Sequence, residues 1–197
     1  MVVAIAEPQT KRYTADEYLA LEMESVIRNE YHDGEVVPMA GGTPNHNEIT
    51  GNFVFMLKAA LKGQPYSVFV ADQRIAIPDR NLYAYPDVVV VPRPLKLKSG
   101  RKDTVMNPIL IVEVLSDSTK AYDRDEKFAA YRTIPTFQEY VLIEQTHFHV
   151  EHFVKQATNQ WLFSEYDGQD AIVLLSSISV EIFLADLYEN VKFEDED

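Results

Sequence analysis

A chain of 197 residues with 46% hydrophobic residues can build one good core and is short for two. It contains no cysteine, which excludes disulfides and thiolate metal sites. Its formal net charge of −13 argues against a protein that coats duplex nucleic acid by neutralising many phosphates, so we expect any nucleic-acid contact to be local.

The chain divides into three predicted parts. Residues 1–12 form an N-terminal arm, residues 13–191 a single domain, and residues 192–197 an acidic tail that is expected to be disordered. The start of the arm lacks the basic residues and the small-residue cleavage site of a signal peptide, and no apolar run has membrane-spanning length. These features predict a cytoplasmic protein that does not insert into a membrane.

Two local signals organise the beginning of the domain. Thr14, with Glu17 three residues later, makes a capping box that predicts a helix ending near Glu24. Residues 28–32 and 35–39 then flank Asp33-Gly34, a dipeptide typical of a type I′ β-hairpin. We therefore expect a helix followed by a two-stranded hairpin.

A second helix is predicted over residues 45–62, where apolar side chains recur at helical spacing after a glycine-rich break. His46 and Glu48 lie in its first turn. The sequence leaves two interpretations of His46 open, a half-buried residue that supports the helix N-terminus and a functional residue. Glu48 is more typical of an acid that interacts favourably with the helix dipole.

After predicted strands at residues 66–70 and 73–77 and a loop at 78–84 come two apolar runs of strand length. Prolines bracket each run, and each carries one acid where a hydrophobic residue is expected. These acids are Asp87 and Glu113.

An antiparallel hairpin that pairs Pro92 with Pro108 places Asp87 opposite Glu113, with Cβ atoms roughly 5 Å apart. Two carboxylates at this distance repel each other and lose hydration energy when buried. A divalent cation between them removes both costs, and oxygen ligands suit Mg²⁺ or Mn²⁺. In this register the acids share a face with Val89, Val91, Ile109 and Ile111.

The loop between the two runs carries five basic side chains and has two interpretations. It is a candidate for a local nucleic-acid contact, but a solvated hairpin tip is the favoured one, and the register places the loop at the far end from the carboxylates. The basic residues are Arg93, Lys96, Lys98, Arg101 and Lys102.

A helix is predicted over residues 120–133, because the preceding residues 116–119 are rich in N-capping side chains. Asp123, Lys127 and Tyr131 recur every four residues on it and should line one face.

The rest of the domain is predicted to be mainly strand. His147, His149 and Glu151 alternate along one strand, which is more typical of an exposed strand face than of a metal site. The strands are expected at residues 138–143, 147–154, 160–166 and 178–183, before a short helix at 184–191.

An acid on each of two strands, followed by a helix with an inward-facing lysine, resembles the PD-(D/E)XK nuclease superfamily. Pro86-Asp87 supplies the first half of that signature, and Glu113-Val114-Leu115 occupies the second. Leu115 departs from it, because the superfamily normally has lysine there. Some members carry the lysine on the following helix instead, and Lys127 is placed to do this.

A wider set of motifs resembles the Uma-two-type family of bacterial restriction-endonuclease-like proteins, from about Tyr13 to Leu187. The motifs are Asp33-Gly34-Glu35, Met39, His46-Asn47, Pro86-Asp87-Val88, Val112-Glu113-Val114-Leu115-Ser116, Ser118-Thr119, Asp123, Lys127 and Tyr131. The resemblance implies an α/β (α+β) fold, a restriction-endonuclease-like mixed β-sheet flanked by helices, with an extra N-terminal hairpin and C-terminal strands.

The resemblance also implies roles for individual residues. Asp87 and Glu113 would hold one Mg²⁺, with the carbonyl oxygen of Val114 as a third ligand, and Mn²⁺ as an alternative ion. Lys127 would orient the attacking water or neutralise the phosphate, and His46 or Glu48 would complete the site. The implied activity is Mg²⁺-dependent endonucleolytic cleavage of DNA.

Two other functions stay open at this stage. Leu115 and the acidic charge favour a binding or regulatory module on a nuclease scaffold. The weakest alternative is a sugar hydrolase that uses Asp87 and Glu113 as acid and base. Apolar residues in the C-terminal strands predict a homodimer. The resemblance implies the same, because restriction-type nucleases cut both DNA strands as dimers.

Overall fold

The computed structural model describes residues 11–193. Its helices are α1 (Ala15–Glu24), α2 (Pro44–Ala60), α3 (Lys120–Tyr122), α4 (Phe128–Tyr131) and α5 (Leu184–Leu187). Its strands are β1 (Asn29–His32), β2 (Glu35–Pro38), β3 (Tyr66–Val70), β4 (Arg74–Ile77), β5 (Leu82–Ala84), β6 (Val88–Pro92), β7 (Thr104–Val105), β8 (Leu110–Val114), β9 (Glu139–Ile143), β10 (His149–Ala157), β11 (Gln160–Asp167), β12 (Ile172–Leu175) and β13 (Val180–Phe183).

The centre of the fold is a six-stranded mixed sheet in the order β11-β10-β9-β8-β6-β3. Strands β8 and β9 are parallel, and the other neighbours are antiparallel. Residues 88–91 and 110–114 are buried throughout, because this part of the sheet is covered on both faces. The predicted mixed sheet flanked by helices is confirmed.

Different layers cover the two faces of this sheet. Helix α2, the β12-β13 hairpin and α5 pack on one face, where Ile49, Phe53 and Leu57 meet Val90 and Val112. On the other face, α4 and strands β4 and β5 of a second, five-stranded sheet pack against Val89 and Ile111. Helix α1 covers the outside of that second sheet.

The N-terminal helix and hairpin form as predicted. Thr14 caps α1, and the Glu17 side chain accepts a hydrogen bond from the Thr14 backbone amide at 2.7 Å, which completes the capping box. The turn residues Asp33 and Gly34 have φ angles of 44° and 107°, the left-handed values that a type I′ turn needs at both positions. His32 and Glu35 close the hairpin.

The structure corrects several predicted elements. The predicted loop at 78–84 contains a 3₁₀ turn (Pro78–Arg80) and strand β5, which is too short to give a period-two signal. Strands β7 and β12 were not predicted. The helix expected over 120–133 is interrupted by a π-helical turn at Asp123–Lys127, and the last helix covers only Leu184–Leu187.

The chain ends lie only partly within the described residues. In the predicted arm, Arg12 lies beside Gly34, and Tyr13 donates its backbone amide to the Gly34 carbonyl. In the predicted acidic tail, Phe193 packs against Phe148 and Tyr188. Residues 1–10 and 194–197, and so most of the predicted arm and tail, lie outside the described residues.

Candidate functional site

The register of β6 and β8 places Asp87 and Glu113 side by side, as predicted. Val88 pairs with Val112, and one step further the Asp87 amide donates to Glu113 Oε2 at 3.3 Å. The Val114 amide in turn donates to Asp87 Oδ2 at 2.8 Å. One predicted neighbour is misplaced, because Ile109 lies before β8 begins and packs against the α2 layer.

Glu113 is almost fully enclosed, with a side chain that is 4% exposed. Its Oε1 atom accepts a hydrogen bond from the Tyr131 hydroxyl at 2.8 Å and one from Lys127 Nζ at 3.2 Å. Burial raises the pKa of Glu113 well above its ordinary value, and the negative charges of Asp123 and Asp87 act in the same direction. Lys127 opposes this shift but does not cancel it.

Lys127 is held by three carboxylates. Its ammonium lies 3.0 Å from Asp123 Oδ1, 3.2 Å from Glu113 Oε1 and 3.7 Å from Glu30 Oε1. Burial by itself lowers the pKa of Lys127, but the surrounding carboxylates outweigh burial and raise this pKa well above the ordinary lysine value. The buried ammonium is therefore cationic, and its position depends on these acids.

The π-helical turn brings Asp123 and Lys127 into this position. Both side chains are buried, together with Tyr131 in the following helix α4. The predicted common face of Asp123, Lys127 and Tyr131 is therefore present, although the backbone between them is wider than an α-helix. The contact between Lys127 Nζ and Asp123 Oδ1 lacks hydrogen-bond geometry. The Asp123 Oδ1 atom is therefore buried without a hydrogen-bond partner among the described residues.

Leu115 occupies the position where the superfamily normally has lysine, and its environment in this protein is apolar. The side chain is 1% exposed and belongs to the apolar cluster under α4. An ammonium group at this position would be buried among hydrocarbon groups. Lys127 instead contacts Glu113 from the following helical segment, as the sequence predicts.

His46 approaches the acids from the first turn of α2. Its Nε2 atom lies 3.2 Å from Asp87 Oδ2, and its Nδ1 atom is buried without a hydrogen-bond partner among the described residues. Burial lowers the pKa of His46, but Asp87 and Asp123 outweigh burial, and this pKa is raised above its ordinary value. Glu48, the other candidate in this turn, is exposed.

Glycine 42 makes room for the His46 ring. A Cβ atom built on Gly42 would lie 2.7 Å from His46 Nδ1, closer than real Cβ contacts occur. The neighbouring Gly41 has no heavy atom within 4 Å of the corresponding position. The observed position of the imidazole therefore requires glycine at position 42 but not at position 41.

Sequence reasoning missed three residues of the site, Glu30, His32 and Tyr122. Glu30 and His32 project from the same face of β1, and Glu30 Oε2 lies 3.0 Å from His32 Nε2. The His32 ring stacks on Tyr122 with centroids 5.1 Å apart. A buried acid in a short hairpin strand was the available signal, but only the packing of this hairpin on the helix after β8 shows where the acid points.

The donor set suits a hard cation. Three carboxylates, from Glu30, Glu113 and Asp123, surround the Lys127 ammonium, and Asp87 lies beside Glu113. Mg²⁺ commonly binds proteins through one or two carboxylates and keeps several waters, so the Asp87 and Glu113 oxygens fit its requirements. Within residues 11–193, no group of three or more His, Asp or Glu side chains is arranged as a ready-made metal cage.

Other polar groups from the sequence analysis lie outside this site. In the basic loop, the Arg93 side chain donates to the Tyr66 carbonyl, and Arg101 pairs with Asp103. His147, His149 and Glu151 were predicted to lie on one exposed strand face, and this prediction holds only in part. His147 precedes β10 and is exposed, whereas Glu151 is buried and pairs with Arg124. In the part of the chain that the structure covers, no helix is long and apolar enough to cross a membrane.

Comparisons with known proteins agree on the family. Residues 15–185 match the model of the Uma2 family, described as "Putative restriction endonuclease". An uncharacterized protein of Synechocystis sp., sll1609, is 40% identical over 180 residues, which cover 91% of this chain and 99% of that protein. A second Synechocystis protein, slr1290, is 32% identical and covers 92% and 94%, respectively.

A solved structure supports the same fold. It is a crystal structure of a putative nuclease belonging to DUF820 from Anabaena variabilis, with a TM-score of 0.74. The similarity covers 90% of this chain and 98% of that one at 19% identity. The fold is thus that of a restriction-endonuclease-like nuclease, and the chain belongs to the Uma2 family.

Proposed function

We propose that the protein is a metal-dependent endonuclease that hydrolyses DNA phosphodiester bonds. The observation that carries this proposal is the contact between the strand-paired acids Asp87 and Glu113 and the ammonium of Lys127, 3.2 Å from Glu113. Burying carboxylates and an ammonium costs desolvation free energy, so such a group of charges is more typical of a functional site than of a structural core. Membership of a family described as "Putative restriction endonuclease" supports the same reaction class.

Asp87 and Glu113 would hold Mg²⁺, or Mn²⁺ in its place, with the Val114 carbonyl oxygen as the third protein ligand. A bound Mg²⁺ supplies Lewis-acid activation of water and neutralises charge on the phosphate. The Val114 amide orients the Asp87 carboxylate, and the Tyr131 hydroxyl orients that of Glu113. These hydrogen bonds fix both ligands before a cation arrives.

Lys127 and His46 would act on the substrate and its water. Lys127 keeps its proton, so its ammonium can stabilise negative charge that develops on the phosphate. His46 approaches Asp87 from the opposite layer and is only 16% exposed, which suits a residue that orients Asp87 or the attacking water. Both residues are placed by elements other than the two acidic strands.

Three further expectations belong to the same proposal. The acidic chain would contact DNA locally around the site, and the cytoplasmic location stays a prediction. We also propose that two copies associate, supported by exposed apolar side chains on β11, β12 and β13, including Phe163, Leu174 and Phe183. Sedimentation that shows a monomer at micromolar concentration would contradict the dimer without affecting the proposed reaction.

Titration calorimetry with Mg²⁺ and Mn²⁺ on the wild type and Asp87→Ala, followed by plasmid nicking, tests the proposed function. We expect binding and nicking in the wild type and neither in the variant. Asp170→Ala, which removes an exposed aspartate between β11 and β12, is the matched control and should behave as wild type. Nicking by Asp87→Ala at the wild-type rate would refute the assignment.

A second candidate function is a binding or regulatory module on the nuclease fold. The observation that favours it is that Glu113 already has protein partners on both oxygens, from Tyr131, Lys127 and the Asp87 amide. Metal binding without cleavage of plasmid, single-stranded DNA or RNA would support this module. Metal-dependent nicking that disappears in Asp87→Ala would exclude it.

A further inference from the structure

Glu30 comes from the N-terminal hairpin, which lies outside the two acidic strands and the lysine-bearing helix. Its side chain is 7% exposed. The Tyr85 amide donates to its Oε1 atom at 3.2 Å, and His32 contacts its Oε2 atom at 3.0 Å. Two groups of the five-stranded sheet layer therefore fix this carboxylate in place.

The third contact of Glu30 is with Lys127, at 3.7 Å. This distance is longer than those from Lys127 to Glu113 and to Asp123, so Glu30 is the weakest of the three acceptors as the site stands. The ammonium nevertheless contacts both Glu30 and Glu113. A short movement away from Glu113 would bring it closer to Glu30.

Cation binding at the Oε1 atom of Glu113 would require such a movement. The oxygen that Lys127 contacts, Oε1, belongs to a proposed metal ligand, and a divalent cation there repels the ammonium. Lys127 is buried, so an ammonium without acceptors would be very costly. Among the described residues, the carboxylates that then remain to it are those of Asp123 and Glu30.

These two remaining acids are not equivalent. Asp123 lies one turn before Lys127 on the same helical segment. Glu30 belongs to a separate sheet and is anchored by Tyr85 and His32. Glu30 therefore ties the ammonium to a layer separate from its own helical segment, which Asp123 cannot do.

We propose that Glu30 is a positioning residue for Lys127. When Glu113 binds the cation, Glu30 accepts the Lys127 ammonium, so that the ammonium stays correctly placed while the metal is bound. The inference rests on the proposed metal site at Asp87 and Glu113. Glu30 acts through Lys127 and is not itself a ligand.

Calorimetry with Mn²⁺ on four proteins tests this role. They are the wild type, Glu30→Gln, Lys127→Gln and the double variant. Glu30→Gln should weaken binding about tenfold in the wild-type background and less than about twofold in the Lys127→Gln background, because the effect passes through the ammonium. Glu22→Gln, at a buried glutamate that contacts Asn29 and Tyr85, is the matched control and should bind as wild type.

Urea unfolding of the same four proteins, with and without Mn²⁺, gives a second readout. The coupling between Glu30 and Lys127 should be larger with the cation present, because Lys127 then depends on Glu30. A merely structural contact would give the same coupling in both conditions. If Lys127→Gln does not fold, as judged by near-ultraviolet circular dichroism, Lys127→Met provides the second background.

Three results would overturn the inference. If Glu30→Gln weakens Mn²⁺ binding equally in both backgrounds, Glu30 acts as a direct ligand or as a distant charge and not through Lys127. Wild-type affinity in Glu30→Gln, when Asp87→Ala abolishes binding, would refute the role of Glu30 and leave the proposed function standing. Absence of Mn²⁺ binding by the wild type would refute both together.

Discussion

Asp87 and Glu113 are joined by the backbone as well as by proximity, since the amide of Asp87 donates to the carboxylate of Glu113 at 3.3 Å. The two acids come from adjacent antiparallel strands whose register fixes their spacing. Movement of either strand by one residue would turn one acid to the opposite face of the sheet. The site therefore depends on strand register as much as on the identity of its residues.

Replacing Glu113 by glutamine should separate metal binding from folding stability. The amide oxygen can still accept from Tyr131 and Lys127, and the new NH2 group loses only the longer 3.3 Å hydrogen bond from the Asp87 amide. Burial already disfavours the charged carboxylate. We expect the free energy of unfolding to change by less than about 1 kcal/mol at neutral pH, whereas Mg²⁺ binding is lost. Urea unfolding and calorimetry on the same samples measure the two effects.

The pH dependence of this variant has a defined sign. Because the folded-state pKa of Glu113 is raised, the wild type loses stability relative to the glutamine variant as pH rises through that pKa. Glu113→Ala is the contrasting variant, because it leaves Tyr131 and Lys127 without this acceptor and should cost about 3 kcal/mol. Equal costs for glutamine and alanine would show that the hydrogen bonds to Glu113 contribute nothing.

Gly42→Ala should displace the His46 imidazole. The added Cβ would lie 2.7 Å from His46 Nδ1, so the ring must move and its 3.2 Å contact with Asp87 should be lost. We expect metal affinity and nicking to fall to the level of His46→Ala, and the His46 ring signals in NMR spectra to shift.

Gly41→Ala is the matched control for that experiment. The structure gives its new methyl group no heavy atom within 4 Å, so affinity and the His46 signals should stay at wild-type values. If both glycine variants lose metal affinity equally, the flexibility of the loop matters and the position of His46 does not.

Asp103 should make a pH-dependent contribution to stability through its contacts with Arg74 and Arg101. Burial raises the pKa of Asp103, but the Arg101 hydrogen bond and the Arg74 charge outweigh burial and lower this pKa to about 2. Since the pKa in the unfolded chain is about 3.9, the contribution is complete above that value and disappears as pH falls toward 2.

Urea unfolding of the wild type and Asp103→Asn between pH 7 and pH 2 checks this expectation. The difference in unfolding free energy should be constant at neutral pH and shrink below about pH 4. It should also be modest, because the Asp103 side chain is 52% exposed and solvent screens its charge. A difference that persists unchanged to pH 2 would show that the carboxylate charge does not anchor the basic loop.

The sequence by itself determined the parts of the protein that depend on local pattern. The Thr14 capping box, the Asp33-Gly34 turn and the pairing of Asp87 with Glu113 follow from short-range rules, and the structure confirms each of them. A hairpin that pairs Pro92 with Pro108 has this register, and the observed pairing of Val88 with Val112 has the same one. The approach of Lys127 to Glu113 was implied by the resemblance to nucleases that carry their lysine on the following helix, and the structure shows it.

Only the tertiary structure decided which other side chains join the site. Glu30 is 83 residues from Glu113 along the chain, and it reaches Lys127 because the N-terminal hairpin packs on the helical segment after β8, where His32 stacks on Tyr122. Strand β5 was missed for the same kind of reason, since three residues carry too little pattern and its pairing with β1 and β4 supplies the stability. Contacts between distant elements depend on layer packing, which local propensities do not encode.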